Sequence, residues 1–496
     1  MEPMVAAQPK AMRKLFRRAA KAIEESSTVL AISHIDTDGI TSLAIVISML
    51  QRAEKALHWQ NIHQLNSETI LEVKQLVKEH EPDLVIFSDL GTGQMHLIEE
   101  YIVPENVEKI IVLDHHLPSD SRQQLVESSE QDKIIEINPC QHNMSGSYDI
   151  SAAGVCFLQA YTLSRDNADL SELAIVGASG DLQDYYGKGF TGLNKEIVSL
   201  GVSVGCIQVD KDLTFFGINT RPLPFLLEYA TDPYLPGITG AREAVYSFYE
   251  DLKIPLKTSR DQWRIWVDLS SEEKQRVVQG LIDVILETYE NPRVATGIIG
   301  EVITLKNRPR RTELRSSKEF STLLNACGRN RRAEVGVRIC LGDQEALLEG
   351  HTLLKQHRMN LATALRRLES EGYEEKIGMY VVNDPQTPDT IVGIVIGMAQ
   401  GSRIVPDDKP VIGVSTNTAD KGPRVKVSGR CRRSMVKKGI NLKEAFTEVG
   451  EYLNGKHDSL IVEAGGHPMA AGAFIHQDHL DEFLTGVSDL LARILG

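Results

Sequence analysis

Residues 28–39 read TVLAISHIDTDG: a mostly apolar run, then His34, Asp36 and Asp38 at alternate positions, then a glycine. An unbroken apolar run closed by polar residues is the pattern of a strand buried on both faces, and such strands belong to parallel sheets covered by helices. The pattern recurs. LVIFS (84–88) runs into Asp89-Leu90-Gly91, and KIIVL (109–113) runs into Asp114-His115-His116. Residues 134–138 (IIEIN) read as a fourth strand, and 40–51, 67–80 and 151–164 have helical spacing. This alternation predicts an α/β domain built on a parallel sheet. In such a sheet the carboxyl ends of the strands share one edge, where ligands bind. Residues about 80 positions apart are thereby expected to converge.

A further acid, Asp181, follows the apolar run that ends in Gly177-Ala178-Ser179-Gly180. A single acid at a strand end often does no more than cap a helix, and His34 alone suits a satisfied buried histidine. The four motifs in order are a stronger signal. Several carboxylates crowded at one edge raise one another's pKa unless a counter-charge is present. Divalent ions supply that charge, and mixed carboxylate and imidazole donors without thiolates suit manganese. Two such ions can activate a water and clamp a phosphoryl oxygen.

The 496 residues exceed one compact domain. Apolar residues make up 42% and charged ones 25%, an ordinary globular balance that argues against wholesale disorder. No apolar run approaches a membrane span, and no signal-peptide pattern follows the basic N-terminal residues. Six scattered cysteines without a Cys-x-x-Cys pair suit reduced thiols in a cytoplasmic protein. The net charge of −14 speaks against a nucleic-acid partner globally, but local clustering decides such binding. Ten Lys/Arg against three acids fall within 306–338, and eight Lys/Arg with no acid within 421–438.

After residues 1–200 the pattern changes. Aromatic and proline residues become common through about 301, with a helix expected at 271–289, and a mixed middle domain is assigned to 201–344. Residues 345–371 form a long helical pattern, the core of a connector at 345–374. Residues 375–496 return to α/β alternation, with strands expected at 377–382, 411–415 and 424–428, and helices at 391–401, 442–454 and 480–495.

The triplet Asp114-His115-His116, with the motifs around it and the downstream Gly465-Gly466-His467 followed by Ala470-Ala471-Gly472, resembles the DHH phosphoesterase superfamily. The resemblance spans roughly 25–190 and 375–496. It implies a DHH domain and a smaller α/β DHH-associated domain that closes over substrate. It also implies two Mn²⁺ ions, with Mg²⁺ as the alternative. His34, Asp36 and Asp89 would hold one; Asp38, Asp89, His115 and Asp181 the other, with Asp89 bridging. By the same resemblance His116 faces the scissile phosphate and Asp114 orients the imidazoles. Ser428, Arg430, Gly465, Gly466 and His467 would bind substrate, the glycines presenting His467 from a loop. The chain's size and the form His-x-Asp-x-Asp-Gly are similar to RecJ-like exonucleases, and STLLNACGRNRRAEVGVRICLGD (321–343) to their archaeal branch. That branch implies single-stranded DNA or RNA as substrate, a place in DNA replication or repair, and the GINS replication complex as partner. The alternatives are a phosphodiesterase of short oligoribonucleotides or cyclic dinucleotides, and a replisome scaffold with weak catalysis. The middle domain also resembles that of the eukaryotic replicative-helicase subunit of this superfamily, a relative that has lost metal ligands.

Overall fold

The computed structural model describes residues 3–118, 133–184, 189–230, 235–288, 295, 297–418 and 423–495. The chain divides into two compact units, Met1–Leu354 and Lys355–Gly496.

In the first unit, β1 (Thr28–His34), β2 (Ala56–Ile62), β3 (Leu84–Ser88), β4 (Lys109–Leu113) and β5 (Ile134–Ile137) form one parallel sheet in the order β2-β1-β3-β4-β5. The apolar runs alternate between two cores, as the twofold period of a strand requires. Val29, Ala31, Ile86 and Ile111 face one core, and Leu30, Ile32, Phe87 and Val112 face the other. Each Val, Leu, Ile or Phe among them contributes about 1.5–3 kcal/mol by leaving water. The first face is covered by the helices Thr37–Arg52, Ala152–Leu163 and Ser171–Gly180; the second by Thr69–His80 and Met95–Tyr101. Strand β2 escapes sequence reading because it is an edge strand, and its side chains alternate between exposed and half-buried until Ile62.

The middle segment leaves and re-enters through an antiparallel ribbon, β6 (Ile207–Leu213) paired with β7 (Ile299–Leu305). Between them lies a separate core around Leu226, Tyr249, Trp266 and Leu281. The helix expected at 271–289 is present as Ser271–Thr288, and Tyr289 lies outside the described residues. The sequence expectation extends this middle domain to 344, but the structure ends its own core at Ile298. Leu314, Phe320, Leu324, Val337 and Ile339 instead pack into the core of the parallel sheet. The reason is amphipathicity: the helices Ser317–Arg329 and Ala333–Cys340 turn their apolar faces to the helix Thr37–Arg52.

Gly328 fixes that docking, because a Cβ there would collide with the Ile35 carbonyl. Gly328→Val is therefore expected to destabilise the unit by about 1–3 kcal/mol, read as a lowered midpoint in chemical denaturation.

The second unit carries a six-stranded sheet in the order β12-β13-β11-β10-β9-β8. The strands are β8 (Glu374–Glu375), β9 (Tyr380–Asn383), β10 (Val411–Ser415), β11 (Arg424–Arg430), β12 (Val462–His467) and β13 (Ala470–His476). Only the β9–β10 pair is parallel. The helices Leu442–His457 and Leu480–Leu495 bury Phe446 and Phe483 against one face, and Asp389–Gly401 covers the other. The connector helix spans Gln344–Glu371.

Two local expectations change. Gly429 and Arg430 lie inside β11 rather than after its end, and Gly465-Gly466-His467 end strand β12 rather than forming a loop. Glycine and alanine are poor β-formers, so cross-strand pairing with β13 overrides local propensity. All six cysteines are unpaired. Among the described residues, no helix is long and apolar enough to cross a membrane.

Candidate metal centre

The strand order reverses between β1 and β3, and a crevice at such a switch point is where open α/β sheets place ligands. His34 closes β1 and Asp89 follows β3 directly. Asp36 caps the helix Thr37–Arg52, its Oδ1 accepting from the Gly39 amide at 3.0 Å. Asp38 lies in the first turn of that helix, and its carboxylate accepts from the amides of Ala152 and Ala153 at 2.7 and 3.0 Å. It is thus held against the positive N-terminal end of a second helix. Asp181 is the C-cap residue of Ser171–Gly180.

These side chains converge into two overlapping sets. His34 Nδ1 lies 3.1 Å from Asp36 Oδ2 and 3.5 Å from Asp89 Oδ2. His115 Nε2 lies 3.4 Å from Asp89 Oδ1, 3.4 Å from Asp181 Oδ2 and 3.7 Å from Asp38 Oδ2. The Asp89 carboxylate, 2% exposed, therefore faces one set with each oxygen. Neither oxygen has a hydrogen-bond partner, and neither does His34 Nδ1. Buried carboxylates are almost always hydrogen-bonded or ligated. Asp89 also sits in left-handed backbone at φ 59°, with Gly91 at φ 116°. Such strain is characteristic of functional sites.

The electrostatics match this geometry. Burial and then the Asp89 charge push Asp38 up to about 7. Burial and then Asp38 likewise raise Asp181 well above the usual carboxylate range. For His115, burial works downward, but the neighbouring carboxylates of Asp89, Asp181 and Asp38 hold it well above the ordinary imidazole value. For Asp36, burial works upward and is outweighed by His34, so its pKa lies far below the usual value. Side chains alone balance this cluster by sharing protons. Divalent cations would displace them, and the donor set fits such ions.

Asp114 is buried beside the cluster. Its Oδ1 lies 2.7 Å from His116 Nδ1 and accepts from the His115 amide at 2.7 Å; its Oδ2 accepts from the Thr92 amide at 3.0 Å. Burial opposes its ionisation, but His116 prevails, and its pKa lies below the usual value. His116, 44% exposed, is fixed through Nδ1, so its Nε2 turns away from Asp114.

Sequence reading missed the support of His115. Its Nδ1 donates to the Gly146 carbonyl at 2.6 Å, which leaves Nε2 as the unprotonated ligand atom in the neutral ring. The same carbonyl accepts from Gln183 Nε2 at 2.8 Å, and Gln183 Oε1 accepts from Asn194 Nδ2 at 2.6 Å. Gly146 is required because a Cβ would collide with the His115 carbonyl. No motif marks these residues; the nearest signal is the Gly-Asp-x-Gln spacing at 180–183.

Four of the five residues expected to bind substrate share one sheet face in the second unit, and Gly466 lies between two of them on the strand. Arg430 and His467 both lie opposite Ala470, one from each side of β13; Ser428 and Gly465 both lie opposite Gly472, and Gly466 opposite Ala471. Directly opposed residues of antiparallel strands point the same way. Ser428, Arg430, Gly465 and His467 therefore share a face across the small side chains of β13. Lys426 joins them, over the Phe474 ring at 4.1 Å. The 306–338 run behaves differently. Arg308 pairs with Glu172, Lys318 with Asp184, Arg332 with Glu349 and Arg338 with Asp343. Much of it is ion-paired structure.

A parallel sheet with acids and imidazoles gathered at its switch point, joined to an α/β unit with a basic face, is the architecture of a DHH phosphoesterase. The chain belongs to the DHH superfamily: it matches the "DHH family, N-terminal domain" over 28–178, the "DHH-CID domain" over 215–295 and the "DHHA1 domain" over 378–493. It is 30% identical over 495 residues to the uncharacterized protein MJ0831 of Methanocaldococcus jannaschii, covering 97% of this chain and 98% of the relative. In fold it is similar to RecJ of Thermus thermophilus in complex with Mn²⁺, at 18% identity and TM-score 0.58. That match covers 99% of this chain and 56% of RecJ, so the chain spans little more than half of that relative. It is also similar to CDC45 of Entamoeba histolytica, at 14% identity and TM-score 0.61, covering 97% and 98%.

Proposed function

We propose that this chain is a manganese-dependent phosphodiesterase that releases mononucleotides from single-stranded nucleic acid, acting in DNA replication or repair. The observation that carries the reading is the buried, unpartnered Asp89 carboxylate, which offers one oxygen to each ligand set. His34, Asp36 and Asp89 would hold one ion, and Asp38, Asp89, His115 and Asp181 the second. Bound there, the ions would acidify a water and stabilise charge on the phosphoryl oxygens; Mg²⁺ is the alternative to Mn²⁺.

The residues of the chain divide the remaining work. Asp114 keeps the His116 ring oriented and favours its protonated form; burial alone would lower the His116 pKa, and Asp114 raises it. His116 Nε2 would then donate a hydrogen bond to the phosphate at the reacting centre. Arg430 presents a planar fork suited to a neighbouring phosphate. Ser428, His467 and the Gly465-Gly466 backbone would position the terminal nucleotide, and Lys426 would add charge along the same face.

Gln183→Ala is expected to weaken Mn²⁺ binding by about 10–100-fold, the usual cost of losing a group that orients a ligating imidazole. Manganese titration of chelator-treated protein measures this; unchanged affinity would show that Gly146 holds His115 without Gln183.

The fold shared with CDC45 supports a second reading, a scaffold within a replication assembly. Association with the GINS replication complex belongs to either reading and is tested by co-purification. The readings separate on turnover: a scaffold leaves single strands intact with manganese bound. The oligoribonucleotide or cyclic-dinucleotide alternative is tested by comparing those substrates with long single strands.

A further inference from the structure

We infer a second metal site in the C-terminal unit, formed by His457, His479 and Glu482 and suited to a transition ion of the zinc class. Outside the strand-end cluster, these three are the remaining group of His, Cys, Asp and Glu, among the described residues, whose ligand atoms all lie within 4.8 Å of one another. Glu482 Oε2 stands 3.5 Å from His457 Nε2 and 3.8 Å from His479 Nδ1. Around a tetrahedral ion with bonds of about 2.0–2.1 Å, ligand atoms stand about 3.3–3.4 Å apart. The two carboxylate–imidazole separations need to close by a few tenths of an ångström, and the two imidazole nitrogens stand within 4.8 Å of each other.

The surroundings hold them for that purpose. Lys456 pairs with the other carboxylate oxygen, Oε1, which leaves Oε2 turned toward both imidazoles. A charged partner that orients a ligating carboxylate in this way is a regular feature of metal sites. His457 ends the helix Leu442–His457, where the chain turns at Asp458 with φ 47°, and Glu482 lies in the first turn of Leu480–Leu495. The two helices are locked by an edge-on contact of Phe446 with Phe483, ring centroids 5.4 Å apart. Side-chain exposures of 31%, 25% and 36% leave the ligands open to solvent and a fourth position open to water. The adjacent His476 ring lies 6.0 Å from that of His479. Two imidazoles and one carboxylate select differently from the strand-end cluster: imidazole-rich sets favour zinc, copper and nickel, carboxylate-rich sets manganese.

The site also has a structural consequence. His457 and His479 flank residues 458–478, the segment that contains β12 and β13 and so carries Gly465, Gly466 and His467. An ion shared by the two histidines ties both ends of that hairpin and removes conformational freedom from its open states.

The test is zinc titration of the full chain after chelator treatment, against a chromophoric chelator, with His457→Ala, His479→Ala and Asp89→Asn alongside. Both histidine variants are expected to bind one Zn²⁺ fewer per chain, or that equivalent more than about tenfold more weakly, with manganese binding unchanged. Asp89→Asn keeps this zinc, so the outcome stands apart from the nuclease reading. Hydrogen exchange within 458–478 is expected to slow on zinc addition in wild type and not in the variants. Should a histidine variant lose its helical circular dichroism, Glu482→Gln, which preserves shape, gives the same reading. Equal zinc stoichiometry and affinity in wild type and folded variants overturns the site and leaves the cluster a surface ion pair.

Discussion

Asp89→Asn is expected to reduce phosphodiester hydrolysis by at least about a thousandfold while the chain stays folded. Asparagine is the informative replacement because it has the same size and tolerates the left-handed backbone that Asp89 adopts at φ 59°. Alanine in that conformation adds strain of about 1–3 kcal/mol, which confuses a chemical loss with a structural one. What asparagine removes is the negative charge between His34 Nδ1, at 3.5 Å, and His115 Nε2, at 3.4 Å. With it goes the capacity of one side chain to serve both ligand sets, so manganese titration should show at least one ion lost. Activity above a few per cent of wild type in this variant is incompatible with a bridging role.

The second large effect is expected from the other unit. Arg430→Ala and His467→Ala should each raise KM for single-stranded substrate by about ten- to a hundredfold, with manganese binding unchanged. A hydrogen bond to a charged group contributes about 1.5–3 kcal/mol, which corresponds to that range. The register explains why the two act together: both lie opposite Ala470, on the same face of β11, β13 and β12. Arg430→Lys should recover part of the loss, because the charge returns without the planar fork. Loss of metal in either alanine variant would give this face a structural role instead.

The two regions were not equally legible in the sequence. The apolar runs ending in His34, Asp89 and Asp114 could be read directly, because they are short, closed by polar residues and alternate with helical patterns. Their common sheet edge is what brings the acids together. The hairpin β12–β13 was opaque as strand, since Gly465, Gly466, Ala470, Ala471 and Gly472 carry no β-propensity, and β13 is held in the sheet by β11, which lies far upstream in sequence. Strand β2 was hidden by its edge position. Gly146, Gln183 and Asn194 were invisible because their role lies in hydrogen bonds between separate elements. The basic run at 306–338 misled in the opposite sense: charge density was plain, but partners such as Glu172 and Asp184 lie more than a hundred residues upstream.

The most direct test of the central claim is digestion of 5′-labelled and 3′-labelled single-stranded DNA and RNA with added Mn²⁺, by wild type and Asp89→Asn in parallel. The account predicts progressive, manganese-dependent release of mononucleotides by wild type alone, with the labelled end revealing polarity. Intact strands of every kind, with manganese demonstrably bound to wild type, would contradict it.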